Sequence, residues 1–284
     1  QDPENEETVE ALEALLLRED LPSYESFALR AADVVQPWLS ERGHWEREIK
    51  VLRTRAALCV DDQAKAANLL QIGQLHESQG TDPLSAFEVY SQAFKLNPAS
   101  GEIEQALQGA ALELEVWEEW ADVLEDGIRD DEPQVAVPLL MKVGSLARGQ
   151  LEDAPRAIRT YERLLALEPL HMGALGALDD LYAASERSED RVAILEKRAE
   201  IADDEGRRRG LMFEVGRLNE EMGNVQAAID GYAYVAEHGD AASEDIAREA
   251  LDKLQQLYEA GEQYIPLVHV LLEKAEVASD EDEK

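Results

Sequence analysis

The chain has 284 residues, of which 45% are hydrophobic, enough for one large core or for several small cores in a row. Its 62 acidic and 27 basic residues give a formal net charge of −35, which repels nucleic acid phosphates and anionic membrane surfaces. We therefore exclude nucleic acid as a partner, and we exclude membrane insertion because no apolar run approaches the roughly 20 residues that cross a bilayer. The charge reflects either adaptation to solubility or high salt, or selection for a basic partner.

Apolar residues recur at spacings of three and four along the whole chain, as in Leu107, Ala110, Ala111 and Leu114, and strand-type alternation never persists. The pattern predicts an all-α protein of about 14 helices, separated by short Gly, Pro, Asp and Asn clusters. The first helix, "TVEALEALLLRED", is expected to lack a partner, and the first full hairpin to begin near Pro22. Helix starts are predicted near Pro83, Ser100, Pro155 and Ser243.

A hairpin is repeated within the chain. The segment "LLQIGQLHESQGTDPLSAFEVYSQAFKLNP" returns as "LLMKVGSLARGQLEDAPRAIRTYERLLALEP", with Gly73 and Gly144 71 residues apart (144−73). A third copy, "GLMFEVGRLNEEMGNVQAAIDGYAYV", carries the same pattern of small and aromatic residues. One hairpin cannot bury its apolar face alone, so such copies are expected to stack into one continuous core.

The three copies resemble the tetratricopeptide repeat family. In that family a small residue on the first helix of a hairpin meets a small residue on the second, so that the two helices cross closely. The resemblance implies a right-handed α-solenoid of stacked antiparallel helix hairpins. The small pairs that it implies are Gly73 with Ala86, Gly144 with Ala157, and Gly216 with Ala228.

Weaker hairpins lie between the clear ones, and they repeat as well, at Leu52, Leu124, Leu195 and Leu272. The unit is therefore a double hairpin of about 71 residues, similar to bacterial-type arrays of the family. We expect a single continuous solenoid over 1–284. Its predicted modules are approximately 1–62 (partial), 63–134, 135–206 and 207–278, with an acidic tail at 279–284.

The resemblance implies a non-catalytic scaffold or adaptor that binds a partner protein or peptide on its concave face, which the first helix of each hairpin lines. Counting from the glycine of each copy, the residues predicted on that face are Leu70, Gln74, Glu77, Met141, Ser145, Arg148, Phe213, Arg217 and Glu220. An alternative for the apolar members is simple packing against the next helix. An alternative function is that of a regulatory or spacer segment of a larger multidomain chain, which predicts a groove that is polar, featureless or filled.

The predicted partner is basic, in view of the net charge, or carries a carboxylate. Positive charge is scarce in this chain, so Arg148 and Arg217 are expected to attract an acidic or carboxylate group. Co-chaperone members of the family hold a terminal carboxylate with Lys and Asn on successive helices, and this sequence does not offer that set. We therefore do not transfer that ligand.

The sequence predicts no enzyme, no cofactor and no metal site. The five histidines are isolated from one another and from the single Cys59, and the Gly-rich phosphate loop and the nucleophile elbow are missing. Cys59 lies in an apolar run, which favours a buried structural thiol. Paired carboxylates are explained by the acidic composition.

Two further expectations concern large apolar side chains. Trp45 and Trp117 are predicted to wedge between helices, and Trp120 to be partly exposed. The apolar helix "YIPLVHVLLEKAEVA" is followed only by a charged tail, so Val268, Leu271 and Leu272 are expected to be exposed. That surface would allow end-to-end self-association, and we expect the chain to be a piece of a longer array.

Overall fold

The computed structural model describes residues 6–16, 25–239 and 245–282, with side chains described for 6–16, 27–239 and 245–275. This part of the chain holds fifteen α-helices and no β-strand, so the predicted all-α class is confirmed with one helix more than expected. The helix start predicted near Ser243 lies outside the described residues, as do the start near Pro22 and the last two residues of the tail.

The helices fall into two compact units, an N-terminal unit (Gln1–Asp153) and a C-terminal unit (Ala154–Lys284). The N-terminal unit contains α1 (Glu6–Leu16), α2 (Glu25–Glu41), α3 (Trp45–Leu58), α4 (Asp62–Ser78), α5 (Pro83–Leu96), α6 (Gly101–Leu114), α7 (Trp117–Asp126) and α8 (Pro133–Arg148). The C-terminal unit contains α9 (Ala154–Leu167), α10 (Met172–Ala184), α11 (Ser188–Glu200), α12 (Glu205–Glu221), α13 (Val225–His238), α14 (Asp245–Ala260) and α15 (Tyr264–Asp282).

Within each unit, every helix packs against the next one along the chain. The most extensive contacts join α4 to α5 and α12 to α13, which are the first and third of the repeated hairpins. Short turns between contacting helices make these pairs antiparallel. Stacked antiparallel hairpins are thereby confirmed inside each unit, whereas the handedness of the solenoid and the four module boundaries remain predictions.

Capping residues explain where several helices begin. The side chain of Asp61 accepts a hydrogen bond from the backbone N–H of Ala64 at 2.8 Å, and Asp82 accepts one from Ser85 at 3.1 Å directly before Pro83. These acceptors satisfy backbone donors that have no partner inside the helix. Hydrogen bonds from the Ser85 hydroxyl and from the Ser85 backbone N–H hold the pKa of the Asp82 carboxyl below its usual range. The predicted starts at Pro83, Ser100 and Pro155 are confirmed.

The glycines of the first and third hairpins lie directly under a tyrosine ring. A Cβ atom added to Gly73 would sit 2.2 Å from Cε1 of Tyr90, and one added to Gly216 would sit 2.9 Å from Cδ1 of Tyr232. The predicted partners Ala86 and Ala228 are fully buried, but the atoms that an added Cβ at Gly73 or Gly216 would meet first belong to the tyrosines. The third pair, Gly144 with Ala157, has one member in each unit and remains a prediction.

Two predictions on burial are wrong, those for Trp120 and Cys59. Trp120 is 3% exposed, because it lies one turn inside α7, where Lys142 of α8 covers its ring at 6.0 Å. Trp45 and Trp117, the predicted wedges, are half-buried first residues of their helices, and Trp45 packs against the apolar cluster that joins α3 to α4. Cys59 is also half-buried instead of buried, because α3 ends at Leu58 and the thiol lies in the following turn.

The exposure predicted for three apolar side chains of α15 is confirmed. Val268, Leu271 and Leu272 are 53%, 43% and 59% exposed. End-to-end self-association through this surface remains a prediction.

Candidate protein-interaction faces

The nine residues predicted to bind a partner lie on the first helices of the three repeated hairpins, α4, α8 and α12. Each helix contributes three of them at spacings of four and three residues, which places them on one face of that helix. Gln74, Glu77, Ser145 and Arg148 are exposed, and Met141, Phe213, Arg217 and Glu220 are half-buried. Leu70 is 6% exposed, so it packs against neighbouring helices and does not face a ligand.

Phe213 occupies in α12 the position that Leu70 occupies in α4. Its ring meets the ring of Tyr232 edge-on, with the centroids 5.3 Å apart, and it packs against the apolar core of the C-terminal unit. Such an arrangement is favourable for two aromatic rings beyond their burial. The apolar position of the predicted face therefore contributes to packing in both hairpins.

A tyrosine from the second helix holds the acidic position of the face in both hairpins. The Tyr90 hydroxyl donates to Oε2 of Glu77 at 2.9 Å, and the Tyr232 hydroxyl donates to Oε2 of Glu220 at 2.7 Å. Burial, followed by the hydrogen bond to the carboxylate, raises the pKa of each tyrosine well above its ordinary value. These hydrogen bonds were not predicted from the sequence. The signal available was that each tyrosine and its glutamate recur with the glycine in the first and third copies.

Glu220 has a second partner. Nζ of Lys253, on α14, donates to both of its carboxylate oxygens, at 3.2 and 3.0 Å. Burial pushes the pKa of Glu220 upward, but the hydrogen bonds from Tyr232 and Lys253 more than offset it and the net pKa is lowered. Glu220 is thus fixed by groups of its own unit on α13 and α14, and it is less available to a ligand than its exposure indicates.

Arg217 lies in a network of alternating charges. It donates from Nε to Oε2 of Glu214 at 2.8 Å and from Nη2 to Oε1 at 2.6 Å, and it also pairs with Glu221. Oε1 of Glu214 accepts from Nη1 of Arg191 as well, at 3.0 Å. The hydrogen bond from Arg217 is the main reason why the pKa of Glu214 is lowered, and the same bond raises the pKa of Arg217.

Arg191 connects this network to a buried carboxylate that sequence analysis did not single out. Asp179 on α10 is 9% exposed, and its Oδ1 accepts from Nε of Arg191 at 2.8 Å. Its Oδ2 accepts from Arg198. A buried carboxylate needs such partners because its desolvation is costly. The signal available in the sequence was an acidic residue inside the apolar run "GALGALDDLYAA".

A cleft of about 390 Å³ opens beside Arg217 in the C-terminal unit. Its walls come from the end of α10, the turn before α11, the first turn of α11, and α12. The lining residues are Tyr182, Ala183, Glu186, Ser188, Arg191, Arg217, Leu218 and Glu221. The cleft therefore brings two guanidinium groups together at the edge of the predicted face of α12.

Two absences hold for the described part of the chain. No group of three or more His, Cys, Asp and Glu side chains in it could hold a metal ion. Its helices are also too short or too polar for any of them to cross a membrane.

Comparison with known proteins identifies structural neighbours alone. No protein-family model matches the chain, and no curated protein matches it significantly. Among solved structures, it is similar to PilF of Pseudomonas aeruginosa, with 15% identity, 81% of this chain and 99% of that chain covered, and a TM-score of 0.35. It is also similar to the C-terminal part of a TPR repeat-containing protein of Cytophaga hutchinsonii, with 13% identity, 86% and 93% covered, and a TM-score of 0.39.

A third neighbour is YrrB, described as a TPR protein with an unusual peptide-binding site, with 15% identity, 65% and 91% covered, and a TM-score of 0.36. At these identities and scores, the neighbours indicate nothing about a ligand of this chain. The stacked antiparallel hairpins rest on the helix order and on the contacts of Gly73 and Gly216.

Proposed function

We propose that the chain is a non-catalytic scaffold that binds a partner peptide through the predicted faces of its first helices, with the cleft beside Arg217 as the main contact. The observation that carries this proposal is the cleft itself. It has a volume of about 390 Å³ and is lined by Arg191 and Arg217, with Glu186 and Glu221 at the same cleft. A spacer segment predicts a groove that is polar, featureless or filled. The cleft is neither filled nor featureless, and its two arginines support the scaffold.

The chemistry of the cleft favours a ligand with a carboxylate group. A guanidinium has five N–H donors, and three of those on Arg217 are engaged by Glu214 and Glu221. The Glu221 side chain is 56% exposed, and pairs at such exposure contribute at most about 1 kcal/mol. A peptide carboxylate can therefore replace Glu221 on Arg217 with little loss, and the bidentate geometry of Arg would orient it.

The experiment is a selection of peptides on the full chain from a random display library, followed by binding measurements on the selected peptides. The proposal expects them to be rich in Asp, Glu or free C-terminal carboxylates, and to bind Arg217→Glu at least about tenfold more weakly, equal to roughly 1.4 kcal/mol. Lys50→Glu is the matched control, because it makes the same charge change at an exposed position of α3. Its affinity should equal that of the parent chain.

The double variant Arg148→Glu with Arg217→Glu extends the test to α8, where Arg148 is exposed on the predicted face. We expect it to bind more weakly than the parent chain, with unchanged far-ultraviolet circular dichroism. Equal affinity of the parent chain and Arg217→Glu would contradict the assignment of the cleft.

A further inference from the structure

A second cavity, of about 120 Å³, lies in the C-terminal unit. It is lined by Gly176 of α10, Arg198 of α11 and Leu211 of α12, among others. The cleft beside Arg217 takes its walls from the same three helices. We call the second cavity the Gly176 cavity.

The Gly176 cavity and the cleft lie along one furrow. Both α10 and α12 pack against α11, which contributes to both cavities. Gly176 and Leu211 share the Gly176 cavity, and they are 35 residues apart (211−176). Ala183 and Leu218 share the cleft, and they are also 35 residues apart (218−183). The helices α10 and α12 therefore run in the same direction along the two sides of the furrow.

The length of the furrow between the two cavities follows from the helix geometry. Ala183 lies seven residues after Gly176 on α10 (183−176). At a rise of about 1.5 Å per residue, the two positions are about 10 Å apart along the helix. One short peptide is long enough to reach both cavities.

The Gly176 cavity differs from the cleft in its chemistry. Four of its lining side chains are apolar, those of Met172, Ile201, Ala202 and Leu211. Arg198 donates to Oδ2 of Asp179, so its charge is engaged within the unit. The other two charged residues at the cavity, Asp203 and Arg207, are exposed and opposite in sign. A small cavity with this lining favours an aliphatic side chain, because apolar surface gains free energy when it leaves water.

The packing of the described residues does not account for the glycine at position 176. Gly176 lies in the middle of α10, where glycine favours the helix less than alanine does. A Cβ atom added there would meet no described atom within 4 Å, unlike one added to Gly73 or Gly216. Met172, one turn earlier at the same cavity, is 62% exposed, and flexible methionine side chains adapt to varied apolar partners. The chain therefore leaves space and apolar surface here that its own packing does not use.

We infer that the Gly176 cavity is a second subsite of the furrow, which holds one aliphatic side chain of the peptide whose carboxylate binds Arg217. The inference rests on the proposed function and specifies its ligand. In the extended polyproline II conformation, side chains three positions apart lie on the same face, and their separation is about 9 Å. This separation matches the distance between the two cavities. The ligand is therefore an extended peptide with an aliphatic residue three positions from Asp or Glu.

The test repeats the selection from the random peptide library on three full chains: the parent, Gly176→Leu, and the matched control Gly109→Leu on α6. An added Cβ meets no described atom within 4 Å at either glycine, so both variants should keep the circular dichroism of the parent. Leucine at Gly176 fills the cavity. Peptides selected on the parent and on Gly109→Leu are expected to carry Leu, Met, Ile or Val three positions from an acidic residue. Peptides selected on Gly176→Leu should keep the acidic residue and lose the aliphatic preference.

Binding measurements on one peptide selected on the parent chain locate the aliphatic residue. Its replacement by Ala should weaken binding to the parent at least about tenfold, because a buried apolar side chain is lost. The unchanged peptide should bind Gly176→Leu more weakly by a similar factor, and Gly109→Leu as it binds the parent. The Ala replacement should then have almost no further effect on Gly176→Leu, since both changes act at one place.

Equal composition of the peptides selected on the parent and on Gly176→Leu would overturn the inference, as would additive effects of the two changes. The proposed cleft fails by a different result, which is equal affinity of the parent and Arg217→Glu. A selection that yields no binding peptide on the parent chain would overturn both.

Discussion

The hydroxyl of Tyr232 donates a hydrogen bond to Oε2 of Glu220 at 2.7 Å, joining the second helix of a hairpin to the first. The ring of the same tyrosine lies over Gly216, and Tyr90 stands in the same relation to Glu77 and Gly73. Both rings are fully buried. The first and third copies of the repeat therefore share one set of glycine, glutamate and tyrosine. The glycine makes room for the tyrosine ring, and the glutamate binds its hydroxyl.

Gly216→Leu is expected to lower the free energy of unfolding by about 1–3 kcal/mol. The new side chain would collide with the ring of Tyr232, which is fixed by its own backbone and by the hydrogen bond to Glu220. Gly73→Leu should behave in the same way. The measurement is the midpoint of urea denaturation.

Two other glycines provide matched controls. Gly210 lies on the same helix as Gly216, and Gly109 lies on α6 of the N-terminal unit, and a Cβ atom at either position meets no atom within 4 Å. Leucine should be neutral or stabilising there by up to about 1 kcal/mol, since it favours helix more than glycine does. Equal effects at Gly210 and Gly216 would refute the proposed packing.

Tyr232→Phe removes the hydrogen bond to Glu220 and retains the ring, so a loss of about 0.5–1.5 kcal/mol is expected. A double-mutant cycle with Glu220→Ala, which removes the acceptor, should show a coupling energy of similar size between the two side chains. Tyr264→Phe is the control, because the Tyr264 side chain is 65% exposed. Strictly additive effects of Tyr232→Phe and Glu220→Ala would mean that the bond contributes nothing.

Glu214 should make stability depend on pH. Its pKa is lower in the folded chain than its ordinary value of 4.5, chiefly because Arg217 donates to it. A lowered folded pKa gives stabilisation that is complete above the unfolded value and is lost as the pH falls through the folded value. The difference in urea midpoint between the parent chain and Glu214→Gln is therefore expected to be largest near neutral pH and to shrink below about pH 4.

Trp120→Ala should cost about 3–5 kcal/mol, the usual range for a buried tryptophan, and Trp117→Ala clearly less because Trp117 is half-buried. Urea denaturation of the two variants decides the order. The reverse order would contradict the burial of Trp120 described here.

Local signals made the fold predictable. The glycine spacing, the caps at Pro83 and Ser100 and the helical periodicity each depend on a few neighbouring residues, and all three hold in the structure. Exposure depends on the next helix along the chain, which periodicity does not show. For that reason the burial of Trp120 could not be predicted from the sequence, whereas the hydrogen bonds of Glu77 and Glu220 were signalled only by the recurrence of glycine, glutamate and tyrosine.

The most direct test of the scaffold is hydrogen–deuterium exchange of the full chain, with and without a peptide selected on it. The proposal predicts slower amide exchange in α12 and in the turn at 186–188, on either side of the cleft, and no such protection in Arg217→Glu at the same peptide concentration. Protection confined to other helices, or protection that persists unchanged in Arg217→Glu, would contradict it.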